Sequence, residues 1–296
     1  MTERPRLGFI GIGIMGEAMT LRLLERGWKV RIWNLTPDRY AKVLPAGAIE
    51  MSSPAAVAAA SDIVLMCVLD ANAVRNCVFG EQGLASASGS GAIVIDHSTI
   101  NPDVTREVAG KLRAANGMRW IDAPVSGGPL FARDGTLTVM AGGDSADIAA
   151  IASVMTDLAG SFTHVGSLGA GQTAKILNQA IVGTGYVLMA EALALAEAAG
   201  LEAAKLPQCL SGGFADSMLL QKIYPQMAAR DFEPPRGYAR QLLKDMKNVK
   251  GFAHAAGLEL PLLETAVERY ARYVESGNEM ADAASISRLY ERKRLP

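Results

Sequence analysis

Leu7, Gly8, Phe9, Ile10, Gly11, Ile12, Gly13, Ile14, Met15 and Gly16 form the stretch whose reading decides the fold. An apolar run of strand type passes directly into a G-x-G-x-x-G spacing, and from Met15 to Arg26 the apolar residues recur at helical intervals. Strand, glycine turn and helix in that order build a cradle for a diphosphate. The first glycine makes the tight turn, the second lets the backbone approach the ligand, and the third lets helix pack on strand. Amide groups at the start of the helix, near Ile14, then point at the anion, and the helix dipole favours its charge. Gly11, Ile12, Gly13, Ile14, Met15 and Gly16 are the candidate residues for a dinucleotide pyrophosphate.

Outward from this unit the alternation continues. Val30–Trp33, Ile63–Leu69, Ala92–Ile95, Trp120–Ile121, Leu137–Ala141 and Phe162–Val165 read as strands; Pro54–Ala60, Pro102–Asn116 and Ala146–Leu158 read as helices. Crossover units of this kind imply a mainly parallel sheet covered on both faces, a doubly wound α/β domain of the Rossmann type. From Gly169 only helical patterns remain: Gly169–Ala199, Leu201–Leu210, Gly237–Ala256 and Pro261–Ser276. The expected organisation is a dinucleotide-binding domain over residues 1–166 and an all-helical domain over 167–296, joined by a long bridging helix with an apolar surface that needs cover, a partner subunit included.

The 296 residues are 50% hydrophobic with a formal net charge of -1, enough apolar material for a packed core and no field to attract nucleic acid. The uncharged helical run Ile176–Ala190 is shorter than the ~20 residues of a bilayer span and contains Asn178 and Gln179, so no membrane partner is expected. The charged start, Met1–Arg6, leads into a strand and not into a signal-peptide core. Cys67, Cys77 and Cys209 are odd in number and widely separated, which reads as reduced, buried residues of a cytoplasmic protein. His97, His164 and His254 show no metal-ligand spacing, and no metal is expected.

Cofactor choice turns on the end of the second strand, where an acidic residue would hold the ribose hydroxyls of NAD. Here the sequence is Trp33, Asn34, Leu35, Thr36, Pro37, Asp38, Arg39. Neutral Asn34 and Thr36 do not repel a 2′-phosphate, and Arg39 offers it positive charge, so the reading favours NADPH over NADH. The alternative leaves Arg39 solvated and the site open to both, NADP or NAD.

Three later stretches carry chemistry: Asp122, Ala123, Pro124, Val125, Ser126, Gly127, Gly128; Gly169, Ala170, Gly171, Gln172, Thr173, Ala174, Lys175, Ile176, Leu177, Asn178, Gln179; and Lys244, Asp245. Together with the opening glycines, and in this order, they resemble the β-hydroxyacid dehydrogenase family over essentially the whole chain. That family includes tartronate semialdehyde reductases, 3-hydroxyisobutyrate dehydrogenases and glyoxylate/succinic semialdehyde reductases. The resemblance implies an NAD(P)-dependent oxidoreductase that reduces a small carboxylate-bearing semialdehyde to a β-hydroxyacid, as a cytoplasmic homo-oligomer, dimer or tetramer. It makes Lys175 the general acid, Ser126, Gly127 and Gly128 the carboxylate loop, and Asn178 a substrate donor. Thr99 and Leu69 fall near the cofactor, and Lys244 reaches back to cofactor or substrate as the domains close.

Elementary chemistry agrees with these roles. Consecutive donors at glycine make an anion nest, and a lysine in the first turns of a helix is an unfavourable placement that asks for a reason. Burial and the dipole would both lower its pKa. Arg133 is expected to add an anion contact suited to a polar, hydroxylated substrate, which favours the tartronate semialdehyde type of activity. Against this stand a methyl-bearing substrate, as in 3-hydroxyisobutyrate dehydrogenase, and a dinucleotide-binding sensor without turnover. The Ser126–Gly128 stretch as a plain turn, and Lys244 with Asp245 as solvated helix charges, are the bland alternatives.

Overall fold

A computed structural model describes residues 4–87 and 91–291. The first three residues of the charged start and the last five of the expected helical domain lie outside these. The chain divides into two compact units, Met1–Lys175 and Ile176–Pro296.

In the first unit β1 (Leu7–Ile10), β2 (Val30–Trp33), β3 (Ile49–Glu50), β4 (Ile63–Met66), β5 (Ile93–Asp96) and β6 (Arg119–Asp122) are parallel, in the order β3, β2, β1, β4, β5, β6. The order reverses at β1, which pairs with both β2 and β4, and the glycine turn leaves the carboxyl end of β1 at that switch point. β1, β4 and β5 are buried at every position because both faces of the sheet are covered. Phe9, Leu65 and Ile95 belong to the core on one face; Ile10, Val64, Met66 and Val94 belong to the core on the other.

The far side of the sheet departs from uniform crossover units. β7 (Val125–Ser126) and β6 both pair antiparallel with β8 (Leu137–Gly142), and β9 (Ala159–Gly166) pairs parallel with β8. Between β7 and β8 lies only the seven-residue helix α5, too short for a parallel crossover, so the chain turns back.

The helices of this unit are α1 (Ile14–Glu25), α2 (Pro54–Ala59), α3 (Ala71–Phe79), α4 (Pro102–Asn116), α5 (Gly128–Asp134), α6 (Ser145–Ala150) and α7 (Ala152–Leu158). Ser53, Asp70, Asn101 and Asp144 cap α2, α3, α4 and α6 through side-chain oxygens. By contrast α1 and α5 begin on Gly13 and Gly127 with no side-chain bond to their first amides. The two helix starts inside the proposed anion-binding loops thus keep amide donors to offer, as does α7, which begins on Ile151 without a side-chain cap.

α8 (Ala170–Ala198) begins in the first unit and continues into the second, where α9 (Leu206–Leu210), α10 (Tyr224–Ala228), α11 (Ala239–Ala255) and α12 (Pro261–Tyr273) follow. Its core gathers Val187, Leu193, Tyr224, Met246 and Tyr270. α8 has 29 residues, and its most apolar window has a mean hydropathy of 1.4, long and apolar enough by those measures to cross a membrane. It falls within the expected Gly169–Ala199 and contains the uncharged run Ile176–Ala190. Within the second unit Gln179 is buried and bonded to Asp245.

Candidate active site

The carboxyl ends of β1, β2 and β4 surround a cavity of about 530 Å³, lined among others by Gly11, Gly13, Asn34, Leu35, Val68 and Leu69. The glycines fit a dinucleotide. A side chain at Gly11 would meet the Cys67 carbonyl oxygen at 2.3 Å, and one at Gly16 would meet the Gly11 carbonyl oxygen at 1.8 Å. Gly13 faces open space. The turn is therefore closed on its protein side and open where a pyrophosphate would approach the amides that start α1, near Ile14 and Met15.

Asn34 stands at the end of β2, but its side chain is engaged. Oδ1 accepts the Ile12 N–H at 2.9 Å, while Nδ2 donates to the Thr36 carbonyl at 2.8 Å and to Thr36 Oγ1 at 3.0 Å. It fastens the glycine loop to the second strand. Arg39 is solvent-exposed in the 3-10 turn Pro37–Tyr40. Ser52, Ser53 and Asn76 also line the cavity. Sequence reading passed over them, since a cap serine and a short helix carry no cofactor signature.

Beyond β5 and β6 lies a second, buried polar group. Asp96 ends β5 fully buried, its Oδ1 accepting the Ser98 N–H at 2.9 Å; burial pushes this carboxyl up to about 7. His97 Nδ1 lies 2.6 Å from the Ala123 carbonyl oxygen, and burial lowers its pKa to about 4, so it is a neutral structural histidine. Ser98 Oγ accepts the Val68 N–H, which joins the loops after β4 and β5, and Thr99 follows half-buried.

A carboxyl with a raised pKa holds its proton more tightly in the folded chain than in the unfolded one. Its contribution to stability is present at low pH and lost as pH climbs from about 4 to about 7. His97, with its lowered pKa, works in the opposite direction. Comparing Asp96→Asn with wild type isolates the carboxyl. The unfolding free energy of the variant is expected to gain on wild type by about 4 kcal/mol between pH 4 and pH 8 in urea titrations; parallel profiles would contradict it.

The third cluster holds the proposed chemistry. Ser126 ends β7, and Gly127 and Gly128 follow at φ +127° and +79°, a left-handed stretch that turns the chain into α5. Lys175 is 6% exposed, and its Nζ donates to the Val125 carbonyl at 2.8 Å. The ammonium thus stands beside the residue that precedes Ser126, Gly127 and Gly128. Asn178 lies one turn further along α8, where Nδ2 donates to Gln179 Oε1 at 2.8 Å; Gln179 Nε2 donates to Asp245 Oδ2 at 2.7 Å. Lys244 Nζ pairs with Asp245 Oδ1 at 3.1 Å. Asn178, Gln179, Asp245 and Lys244 form one polar chain within the second unit.

Two expectations are corrected. Arg133 lies in the last turn of α5 and faces Glu25 at 3.8 Å, so it adds nothing to the Ser126 loop at the other end of that helix. Cys209 is exposed, because its helix α9 is five residues long and buries only Pro207; Cys67 is half-buried and Cys77 buried. Among the described residues no group of three or more His, Cys, Asp or Glu side chains could hold a metal.

Comparison with known proteins agrees with this arrangement. Residues 6–166 match the NAD binding domain of 6-phosphogluconate dehydrogenase, and residues 169–290 match the NAD-binding domain of NADP-dependent 3-hydroxyisobutyrate dehydrogenase. The chain is 35% identical over 287 residues to 2-hydroxy-3-oxopropionate reductase of Escherichia coli K12, covering 97% of each. It is 34% identical over 259 residues to the probable mitochondrial 3-hydroxyisobutyrate dehydrogenase-like 2 of Arabidopsis thaliana, covering 88% of this chain and 84% of that one. The crystal structure of a 3-hydroxyisobutyrate dehydrogenase from Salmonella typhimurium superposes with a TM-score of 0.86 at 28% identity, covering 96% and 99%. With glycine cradle, parallel sheet and helical second unit in place, the chain belongs to the β-hydroxyacid dehydrogenase family and is an NAD(P)-dependent oxidoreductase acting on CH–OH groups.

Proposed function

We propose that the protein reduces a small carboxylate-bearing semialdehyde to its β-hydroxyacid, with tartronate semialdehyde the favoured substrate. The observation that carries this reading is the 2.8 Å hydrogen bond from Lys175 Nζ to the Val125 carbonyl, which sets a buried ammonium against the Ser126–Gly128 loop. Bound in the glycine cradle, the reduced nicotinamide cofactor supplies the hydride. The chain's own residues do the rest. The serine hydroxyl of Ser126 and the amides of Gly127 and Gly128 hold the substrate carboxylate, which fixes the direction in which the carbonyl points. Lys175 exchanges its bond to Val125 for one to the carbonyl oxygen, stabilises the charge that develops there, and gives up a proton to it. Asn178, one turn on, donates to the substrate, and Lys244 supports the cofactor or substrate from α11.

The choice of tartronate semialdehyde rests on the similarity to the Escherichia coli 2-hydroxy-3-oxopropionate reductase. A 3-hydroxyisobutyrate dehydrogenase activity is the second reading, favoured by the Arabidopsis and Salmonella relatives. Steady-state reduction of tartronate, methylmalonate and succinic semialdehydes, each with NADPH and NADH, separates them. The highest kcat/KM is expected for tartronate semialdehyde; turnover of none of the three overturns the reading.

NADPH is the proposed cofactor, since the end of β2 carries no carboxylate and Arg39 is free to swing toward a 2′-phosphate. Arg39→Ala is expected to raise the Kd of NADPH about 10-fold and leave that of NADH unchanged in fluorescence titrations, the loss of one exposed charge-assisted contact. Equal effects on both cofactors would contradict it.

The protein is further proposed to be a cytoplasmic homo-oligomer, dimer or tetramer. Leu177, Ile181, Leu188 and Leu195 form an exposed apolar stripe on α8 that suits a protein partner, and three scattered cysteines suit a reducing compartment. A sedimentation mass of one chain overturns the oligomer.

A further inference from the structure

A fully buried acid of the site has no part in the scheme above. Asp122, the last residue of β6, is 0% exposed, and its carboxylate is built into the root of α8. Oδ1 accepts the Gly169 N–H at 2.7 Å and Oδ2 accepts the Gln172 N–H at 2.8 Å. The fit leaves no spare room: a side chain at Gly142 would come within 2.6 Å of Oδ1, and one at Gly171 within 2.9 Å of Oδ2. An ionised carboxylate on the first amides of a helix makes charge-assisted bonds and lies along the favourable end of the dipole. Burial opposes its charge and lifts the carboxyl to about 6, while the Gly169 and Gln172 amides pull it back, so at neutral pH the anion prevails.

Gln172, whose amide Asp122 holds, reaches outward with its side chain: Nε2 donates to the Ser98 carbonyl at 2.7 Å and Oε1 accepts the Ile100 N–H at 3.1 Å. Lys175 follows Gln172 by three residues, one turn along the same helix, and its tip is tied to Val125, three residues after Asp122. One short segment of chain, Asp122 to Val125, thus grips α8 at two points, the helix root and the lysine tip. The geometry points to Asp122 as a positioning residue for Lys175: its carboxylate sets the rotation and height of the first turns of α8, and with them the place of the ammonium against the Ser126–Gly128 loop. This rests on the reading of Lys175 as the general acid.

Asp122→Asn keeps the shape of the side chain but turns one acceptor into a donor, so either the Gly169 or the Gln172 N–H loses its partner. A displacement of about 1 Å at the reacting group can cost on the order of 100-fold in rate. The expected result is a kcat lower by about 10–100-fold with the KM for cofactor within about twofold of wild type. In the double variant with Lys175→Ala, no loss is expected beyond that of Lys175→Ala alone, because Asp122 acts through the lysine. A wild-type kcat in Asp122→Asn, or a double variant whose loss is the product of the single ones, overturns the proposal. Lys175→Ala with wild-type turnover removes the general-acid reading and the proposal with it, whereas Lys175→Ala inactive beside a fully active Asp122→Asn removes the proposal alone. Should the variant not fold, deuterium exchange of the wild-type protein decides. The Gly169 and Gln172 amides are expected to exchange as slowly as the buried amides of β5, and rapid exchange at either overturns the clamp.

Discussion

Lys175→Ala is expected to lower kcat by about 100- to 10,000-fold, the range of a positioned general acid, while the Kd of the cofactor stays within about twofold of wild type. The asymmetry follows from where the side chain ends. Its Nζ is bonded to the Val125 carbonyl, beside the Ser126–Gly128 loop, whereas the cavity at the glycine turn is lined by other residues. Removing the ammonium takes away the proton and the positive charge that the developing alkoxide oxygen needs, and leaves the cradle for the diphosphate untouched. Lys175→Arg should recover little, because a guanidinium keeps its proton at neutral pH and cannot serve as a general acid. Stopped-flow measurement of the first turnover checks this at the chemical step, where a general acid acts; a variant impaired only in KM would argue for a binding role.

The second large effect is expected at Gly16. An alanine there would place its Cβ 1.8 Å from the Gly11 carbonyl oxygen and 3.1 Å from Phe9. Neither neighbour can yield: the carbonyl is backbone in the tightest part of the turn, and Phe9 is fully buried in the core. Strand and helix must separate, which costs about 1–3 kcal/mol as overpacking and moves the amides that meet the pyrophosphate. Gly16→Ala is expected to weaken cofactor binding on the order of 100-fold, close to 3 kcal/mol, and to lower the urea midpoint. Gly13→Ala makes the informative contrast, since its Cβ would meet no protein atom. It should leave stability unchanged and weaken only the ligand.

The elements that the sequence makes plain are those whose burial follows a regular pattern along their length. β1, β4 and β5 are buried on both faces, so their apolar runs are unbroken; α4 keeps a clear amphipathic pattern between Asn101 as cap and Gly117 as stop. Elements formed by tertiary demand are harder to see. α3 has no counterpart among the helices read from the sequence, although the Asp70 side chain caps it by accepting the Ala73 N–H. α5 is short and set between glycines, and α10 starts around a proline, Pro225, so neither shows a periodic stretch. The reversal at β8 depends on which strands meet, which no local pattern records.

The same divide runs through the site. The glycine loop, Ser126–Gly128 and Lys175 were legible as residue types in a fixed order. That Lys175 meets Val125, 50 positions away, was not, nor that Asp122 anchors the start of α8, since both contacts exist only once β6 and α8 are packed. Arg133 misled for a related reason: a charge near a loop in sequence can point to the opposite end of a helix, here toward Glu25.

The most direct measurement of the central claim is a crystal structure with oxidised cofactor and the β-hydroxyacid product bound together. The account predicts Lys175 Nζ within about 3 Å of the product hydroxyl oxygen, with the product carboxylate on Ser126 and the Gly127 and Gly128 amides. A product hydroxyl held by another residue, with Lys175 still bonded to the Val125 carbonyl, would contradict it.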